Sequence, residues 1–304
     1  MAEPEELKQQ LRTVRDWLRY AVSRFNAAGL VYGHGTATAL DEAAFLILHT
    51  LHLPIDQLEP WLECRLLASE RRAVLEIIEM RITTRKPAPY LTNQAWVQGH
   101  SFHVDERVIV PRSYIGELLA GDLEGIAPEP AEVRQILDLC TGSGCLAILA
   151  ALRFEGAKVE ASEISSDALA VARRNVDDYG LEGRVALIQS DLFKGLAGRR
   201  YDLIVSNPPY VDAAAVAAFP PEYAAEPAIA HAGGGDGLDI VRRILGEAGD
   251  HLTPNGVLVV EVGRGRERLQ GAFPGLPFLW LDTEGSEGEV FALSRSDLDA
   301  QGSR

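Results

Sequence analysis

The chain has 304 residues, 47% hydrophobic and 24% charged, the balance of a globular protein large enough for two domains or one large one. Its net charge of −15 opposes an electrostatic grip on a phosphate backbone and suits a basic partner better. Apolar runs such as Ile204–Val205 and Val257–Val260 are too short to cross a bilayer, and Glu3, Glu5 and Glu6 occupy the place of a signal peptide's basic region, so a cytoplasmic location with no membrane partner is expected.

Leu7, Leu11, Val14, Leu18, Val22 and Phe25 recur at steps of three and four and predict one amphipathic helix over 5–28, broken by Gly29, Gly33 and Gly35. A second helix is expected over Asp41–His52, ended by Pro54. A third starts near Ser69 and buries Val74, Leu75, Ile78 and Ile82. Residues 1–95 therefore read as a small helical bundle domain. Trp96, Phe102, Val104, Val108 and Val110 are strand formers, with turns at Gly99–His100 and Asp105–Glu106; they predict a β-hairpin linker over 96–112 that Pro111 ends. A third region, 113–304, opens with a helix over 113–125 and a loop marked by Pro128 and Pro130.

From Val133 the chain alternates strand and helix. Strands are predicted over 134–140, 157–163, 184–190, 201–206, 256–262, 277–282 and 289–294, with helices near 145–153, 166–179 and 237–250. The last two strands are joined only by Glu284–Gly288, too short for a crossover, so they must form an antiparallel hairpin. The expected fold class is α/β, a seven-stranded, mostly parallel sheet of the Rossmann-like methyltransferase kind preceded by the helical bundle.

Ile136–Leu139 is an apolar strand running into the turn Cys140-Thr141-Gly142-Ser143-Gly144-Cys145 and a helix. Gly142 and Gly144 permit a tight turn and close approach of a ligand at the end of the first parallel strand, where open α/β sheets bind ligands. The turn is not a P-loop, because no Gly-Lys-Ser/Thr follows. Three acids follow three successive apolar strands. Asp138 is placed to order the turn and face a cationic group. Glu163 can accept two ribose hydroxyls, and Asp191, beside Leu192, can accept from an adenine amino group. The absence of phosphate-binding Lys and Arg favours S-adenosylmethionine over NAD or ATP. The candidate cofactor-binding set is Asp138, Thr141, Gly142, Ser143, Gly144, Glu163, Asp191 and Leu192, with Asn207 shared with the acceptor site.

Asp202–Ser206 is an apolar strand ending directly in Asn207-Pro208-Pro209-Tyr210, the most specific feature of the chain. Two prolines restrict the backbone and remove two donors, leaving carbonyl oxygens beside the Asn207 side chain as fixed acceptors for an –NH₂ group. Tyr210 can pack on a planar amide or base. An amide or aromatic amine nitrogen is a poor nucleophile because its lone pair is delocalised, and such acceptors can aim it at a sulfonium methyl. The alternative for this motif is a Pro-Pro turn that only shapes a loop.

Asn207-Pro208-Pro209-Tyr210, with Asp138–Cys145 before it, resembles the protein N5-glutamine methyltransferases. Tyr32-Gly33-His34-Gly35-Thr36 with Asp41–Ala43, and Ala88–Trp96 with Val104–Ser113, look like the branch acting on the third protein of the large ribosomal subunit. The resemblance spans roughly Leu7 to Leu293. It implies that Asn207, Pro208, Pro209 and Tyr210 bind a target glutamine and that Asp138, Gly142, Gly144, Glu163 and Asp191 bind S-adenosylmethionine. It also implies that Arg112 and the loop Glu226–Leu238 lie near the site and that the partner is a basic ribosomal protein; the helical domain, separate from the chemical motifs, is expected to select that substrate. Glu163 stands where Asp is more frequent, and His231 and Ala232 depart from the family pattern. No oligomeric state follows from the sequence.

Two alternatives keep the same chemistry: glutamine methylation of peptide-chain release factors, and adenine-N6 methylation of nucleic acid, against which the charge argues. A third is a non-catalytic module binding ribosomal precursors. Cys140 and Cys145 flank the glycine turn and suggest a nucleophile, but cysteine is equally a small buried residue, and no Cys-x-x-Cys pair or disulfide framework exists. His49/His52 and His100/His103 have metal-pair spacing without a third ligand set, so no metal is expected.

Overall fold

The computed structural model describes residues 9–302 apart from 122, 124, 125, 127 and 129, with side chains described as far as Ala300. The chain divides into two units. One runs to Ala95 and also takes Pro220–Ala225; the other holds Trp96–Phe219 and the chain from Glu226.

The helical unit contains α1 (Val14–Ala27), α2 (Ala39–Thr50), α3 (Ala68–Thr84) and the short α4 (Ala88–Thr92). The single helix predicted over 5–28 is interrupted. Residues 9–10 are helical, the chain then leaves the helix, and α1 restarts at a capping box. There the Thr13 hydroxyl accepts from the Asp16 amide at 3.2 Å and the Asp16 carboxylate accepts from the Thr13 amide at 2.9 Å. The break frees Val14 N to donate to the Cys64 carbonyl at 3.1 Å. Leu7 lies outside the described residues. Trp17, Phe25, Leu46, Ile47 and Ile78 are fully buried in this unit's core, each contributing on the order of 1.5–3 kcal/mol.

An ionic cluster lies inside the same unit. Arg81, fully buried, donates from Nε to Glu42 at 2.6 Å and from Nη2 to the Val31 carbonyl at 3.1 Å. Glu42 also accepts from the Thr36 hydroxyl at 2.9 Å. Glu222, in the segment Pro220–Ala225, receives Arg85 at 2.6 Å and the Val31 amide at 3.0 Å. The His34 ring packs on Tyr223 at 4.4 Å between centroids. The segment Tyr32–Thr36, which looked branch-specific in the sequence, is thus held by charges and rings rather than by regular structure.

Where the first range gives way to the second, β1 (Gln94–Val97) and β2 (His100–His103) form a hairpin whose tip, Gln98–Gly99, has φ of 50° and 75°. The predicted strand character of Val104–Val110 is not realised. Val108 N donates to the Asp105 carbonyl at 3.1 Å in a turn, and Arg107 forks onto Asp105 at 2.8 and 2.6 Å. Val104, Val108 and Val110 are apolar because they are buried, not because they pair.

The seven-stranded sheet has the order β5-β4-β3-β6-β7-β9-β8, with β3 Gln135–Leu139, β4 Lys158–Glu163, β5 Val185–Gln189, β6 Tyr201–Ser206, β7 Leu252–Glu261, β8 Leu279–Leu281 and β9 Val290–Ser294. It is parallel except for β9, which lies antiparallel between β7 and β8, as the short Glu284–Gly288 connection requires. Ile136, Leu203, Val205 and Val259 pack on one face and Leu137, Leu139, Ile204, Leu258 and Val260 on the other, which is why these strands read as continuous apolar runs.

Helices α5 (Tyr114–Ala120), α6 (Cys145–Arg153), α7 (Ser166–Asp178) and α9 (Asp239–Glu247) fall where helices are predicted. The first is shorter than the expected 113–125, of which 122, 124 and 125 lie outside the described residues. Three short helices, α8 (Ala213–Ala217), α10 (Arg266–Ala272) and α11 (Arg295–Gly302), have too few turns to show a stripe in the sequence.

Replacing Arg81 with Ala leaves Glu42 buried without its cation. The expected loss is about 3–5 kcal/mol of stability, read as a lower urea midpoint of the full chain.

Candidate active site

The sheet's strand order reverses between β3 and β6, and parallel α/β sheets place their ligand crevices at that point. Leu139 pairs with Ser162 on β4 and Ser206 on β6, and Ser206 pairs with Val260 on β7. Glu163, Cys140, Asn207 and Glu261 are therefore neighbouring exits from one row. The Ser206 hydroxyl locks the row by donating to the Leu139 carbonyl at 2.9 Å.

The glycine turn is organised by Asp138, which is fully buried. Its Oδ2 accepts from the Thr141 hydroxyl at 2.5 Å and the Ala147 amide at 3.0 Å, while Oδ1 accepts no hydrogen bond from the described residues. Burial pushes this carboxyl up to about 7, against the lowering effect of its two donors. Gly142 and Gly144 have φ of 54° and 80°, and a Cβ on Gly144 would meet Ala172 at 3.2 Å, so the second glycine sets close packing on α7. The Ser143 carbonyl accepts from Asn175 Nδ2 at 2.8 Å. The longer carboxylate of Glu163 curls back: Oε2 accepts from Gly142 N at 3.0 Å and Oε1 from Ile164 N and Ser165 N at 2.9 and 3.1 Å.

Asp191 lies after β5, but its oxygens face two cations that the sequence did not connect with it, Lys194 and Arg243, both at 2.7 Å. The Lys194 and Arg243 hydrogen bonds hold its carboxyl below the usual range. Leu192, buried with φ of 50°, presents its carbonyl to the Ser162 and Ser190 hydroxyls at 3.2 and 2.7 Å. Burial pushes the Cys140 and Cys145 thiols upward, which removes the thiolate a nucleophile needs. Among the described residues no three His, Cys, Asp or Glu side chains are grouped to hold a metal.

Across the row stands the Asn207–Tyr210 turn. No residue among those described hydrogen-bonds the half-buried Asn207 side chain. Pro208 is buried. Tyr210 is gripped at both ends. Its phenol donates to Glu261 Oε1 at 3.0 Å, and a Cβ on Gly263 would come within 2.6 Å of its ring. At the backbone end, a Cβ on Gly233 would lie 2.8 Å from its carbonyl carbon. Glu261 Oε2 accepts from the Ser113 hydroxyl at 2.7 Å and Tyr114 N at 2.9 Å. Burial raises the Glu261 carboxyl to about 7 and, with Glu261 beside it, pushes the Tyr210 phenol well up. Arg112 binds the buried Glu226 through two bonds of 2.6 and 2.9 Å; Val110 N donates to the same carboxylate at 3.0 Å, and His231 Nε2 lies 2.8 Å from it. His231, which departs from the family pattern, is therefore a buried partner of that loop's carboxylate.

Residues 118–219 match the family model of the methyltransferase small domain. Over 296 residues the chain is 55% identical to the ribosomal protein uL3 glutamine methyltransferase of Bradyrhizobium diazoefficiens, covering 95% of this chain and 93% of that protein. The enzyme of the same name from Bordetella pertussis is 55% identical over 295 residues, 96% of this chain and 98% of its own. The chain belongs to the ribosomal protein uL3 glutamine methyltransferase family. Among solved structures, a methyltransferase from Pyrococcus furiosus overlaps 75% of this chain and 99% of its own at 18% identity, with a TM-score of 0.48.

Gly263 has φ of 50° as well as its contact with the Tyr210 ring. Gly263→Ala is expected to displace the ring and, with Tyr210 in the turn that the sequence analysis expects to hold the acceptor, to lower kcat/KM about tenfold or more. Steady-state kinetics of the folded variant checks this.

Proposed function

We propose that this chain transfers a methyl group from S-adenosylmethionine to the side-chain amide nitrogen of a glutamine in ribosomal protein uL3, the protein that names its relatives. The observation that carries the proposal is the turn Asn207–Tyr210, whose Asn207 side chain has no hydrogen-bond partner among the described residues, lying in register beside the glycine turn after Asp138.

The residues after β3, β4 and β5 fit the cofactor. Asp138 offers a buried oxygen with no hydrogen-bond partner among the described residues, the turn leaves Gly142 partly exposed, and no Lys or Arg stands within Asp138–Cys145 to ask for a phosphate. Glu163 would hold the ribose hydroxyls, and Asp191, steadied by Arg243, the adenine amino group. Thr141, Ser143 and Leu192 shape the surrounding backbone. When bound, S-adenosylmethionine supplies an electrophilic methyl on a sulfonium centre. Asn207 and the Pro208 carbonyl accept the two N–H groups of the target amide, which favours a more tetrahedral nitrogen. Pro208 and Pro209 keep those acceptors fixed, and Tyr210 packs on the amide plane. The helical unit, residues 1–95, selects the protein substrate, while 96–112 joins it to the catalytic domain, 113–304. The acidic chain suits a basic ribosomal protein rather than DNA, and the reaction is cytoplasmic.

The deciding experiment is transfer of a labelled methyl to purified uL3, a release factor and DNA, with the product located by mass spectrometry. Asn207→Ala is expected to lose about 100-fold or more in kcat while its cofactor Kd stays within about threefold. Near-normal turnover in that variant overturns the reading.

A second expectation comes from Asp138, whose carboxyl sits at about 7. A cationic ligand favours the ionised form, so below pH 7 binding must release the Asp138 proton. Cofactor affinity should therefore fall by up to about tenfold per unit as pH drops below 7 and level off above it. Calorimetry in two buffers of different ionisation enthalpy would show the released proton, and Asp138→Asn should abolish the slope.

A further inference from the structure

We infer that Glu261 is a positioning residue for the methyl transfer, acting through Tyr210 to hold that ring at the acceptor turn. The inference rests on the proposed reading of Asn207–Tyr210. Glu261 is the last residue of β7, one step past Val260, which pairs with Ser206, so it leaves the sheet alongside Asn207. It is 1% exposed and, among the described residues, makes no ion pair; the nearby Arg112 is committed to Glu226. A carboxylate buried without a cation is expensive, and an apolar residue there would better serve stability alone.

Its three donors explain what it does instead. The Tyr210 hydroxyl sits on Oε1, and the Ser113 hydroxyl and Tyr114 amide sit on Oε2. The carboxylate thereby ties the far end of the Tyr210 ring to the start of α5. The near end is confined by the close backbone of Gly233 and the ring face by Gly263. A tyrosine gripped at hydroxyl, face and backbone has no rotamer to explore, so whatever lies against it meets a preorganised surface. Glu261 bonds the hydroxyl rather than the Asn207 acceptor, which makes it a positioning residue and not a catalytic one.

The test is a double-mutant cycle in the full chain with uL3 as acceptor, using Tyr210→Phe, Glu261→Gln and the double variant. Each single change is expected to lower kcat about tenfold or more. Cofactor Kd by calorimetry should stay within about threefold, and the double variant should lie within about threefold of the slower single. A merely structural glutamate would instead give independent, multiplying losses. A single variant with kcat within about twofold of wild type, or a double variant slower than the stated range, overturns the inference. If Glu261→Gln does not fold, Tyr210→Phe decides alone, since it keeps the ring and removes only the bond to Glu261. Failure of the underlying reading shows differently, as retained turnover in Asn207→Ala.

Discussion

The site depends on the in-register parallel pairing of four strands. Leu139 faces Ser162 on one side and Ser206 on the other, and Ser206 faces Val260. Because side chains alternate along a strand, a slip of one residue on β6 would turn Asn207 from its position beside Cys140 and bury the wrong face. The Ser206 hydroxyl on the Leu139 carbonyl resists that slip at the end where it matters. The one irregularity in the β6–β7 ladder, between Tyr201 and Leu203, lies at the opposite end, so the bulge bends the strands without disturbing the exits.

Four carboxylates stand at these exits, and the fold treats each differently. Glu163 accepts from three backbone amides, and Asp191 from two cations. Asp138 and Glu261 are buried and pushed up to about 7, but only Asp138 keeps an oxygen without a donor. Such a set offers acceptors and negative charge, with basic side chains only beside Asp191.

The parts of this arrangement legible in the sequence are local ones. The glycine turn and Asn-Pro-Pro-Tyr declare themselves within a few residues, and the sheet follows from apolar runs separated by helices of one to four turns. What stayed hidden is set by distant partners or by one cap. Thr13 interrupts an unbroken apolar stripe because its side chain and Asp16 satisfy each other's backbone donors. Val104–Val110 looks like a strand because burial and pairing select the same residues. Arg243 meets Asp191 across 52 positions, and Glu222 meets Val31 across 191. Glu261 carried the same signal that singled out Glu163, an acid ending an apolar strand, but its partner Tyr210 lies 51 positions earlier.

The stretch Val110–Tyr114 is more than a connection. Within five residues it engages two buried carboxylates, one at the start of a loop and one at the end of β7. Val110 and Arg112 satisfy Glu226, while Ser113 and Tyr114 satisfy Glu261. Pro111 restricts the backbone between them, so the two sets of donors are fixed relative to each other. Glu226 starts the loop whose Gly233 closes on the Tyr210 backbone, and Glu261 takes the Tyr210 hydroxyl. Tyr210 is thus held at its hydroxyl by Glu261 and at its backbone by Gly233 of the loop that Glu226 begins, and both carboxylates are satisfied by one short, stiff segment. Burying two charges for this purpose lowers stability relative to an apolar packing of the same volume. The compensation is a tyrosine whose placement is set by its own turn, by the loop that carries Gly233 and Gly237, and by the end of the seventh strand with Gly263 beyond it.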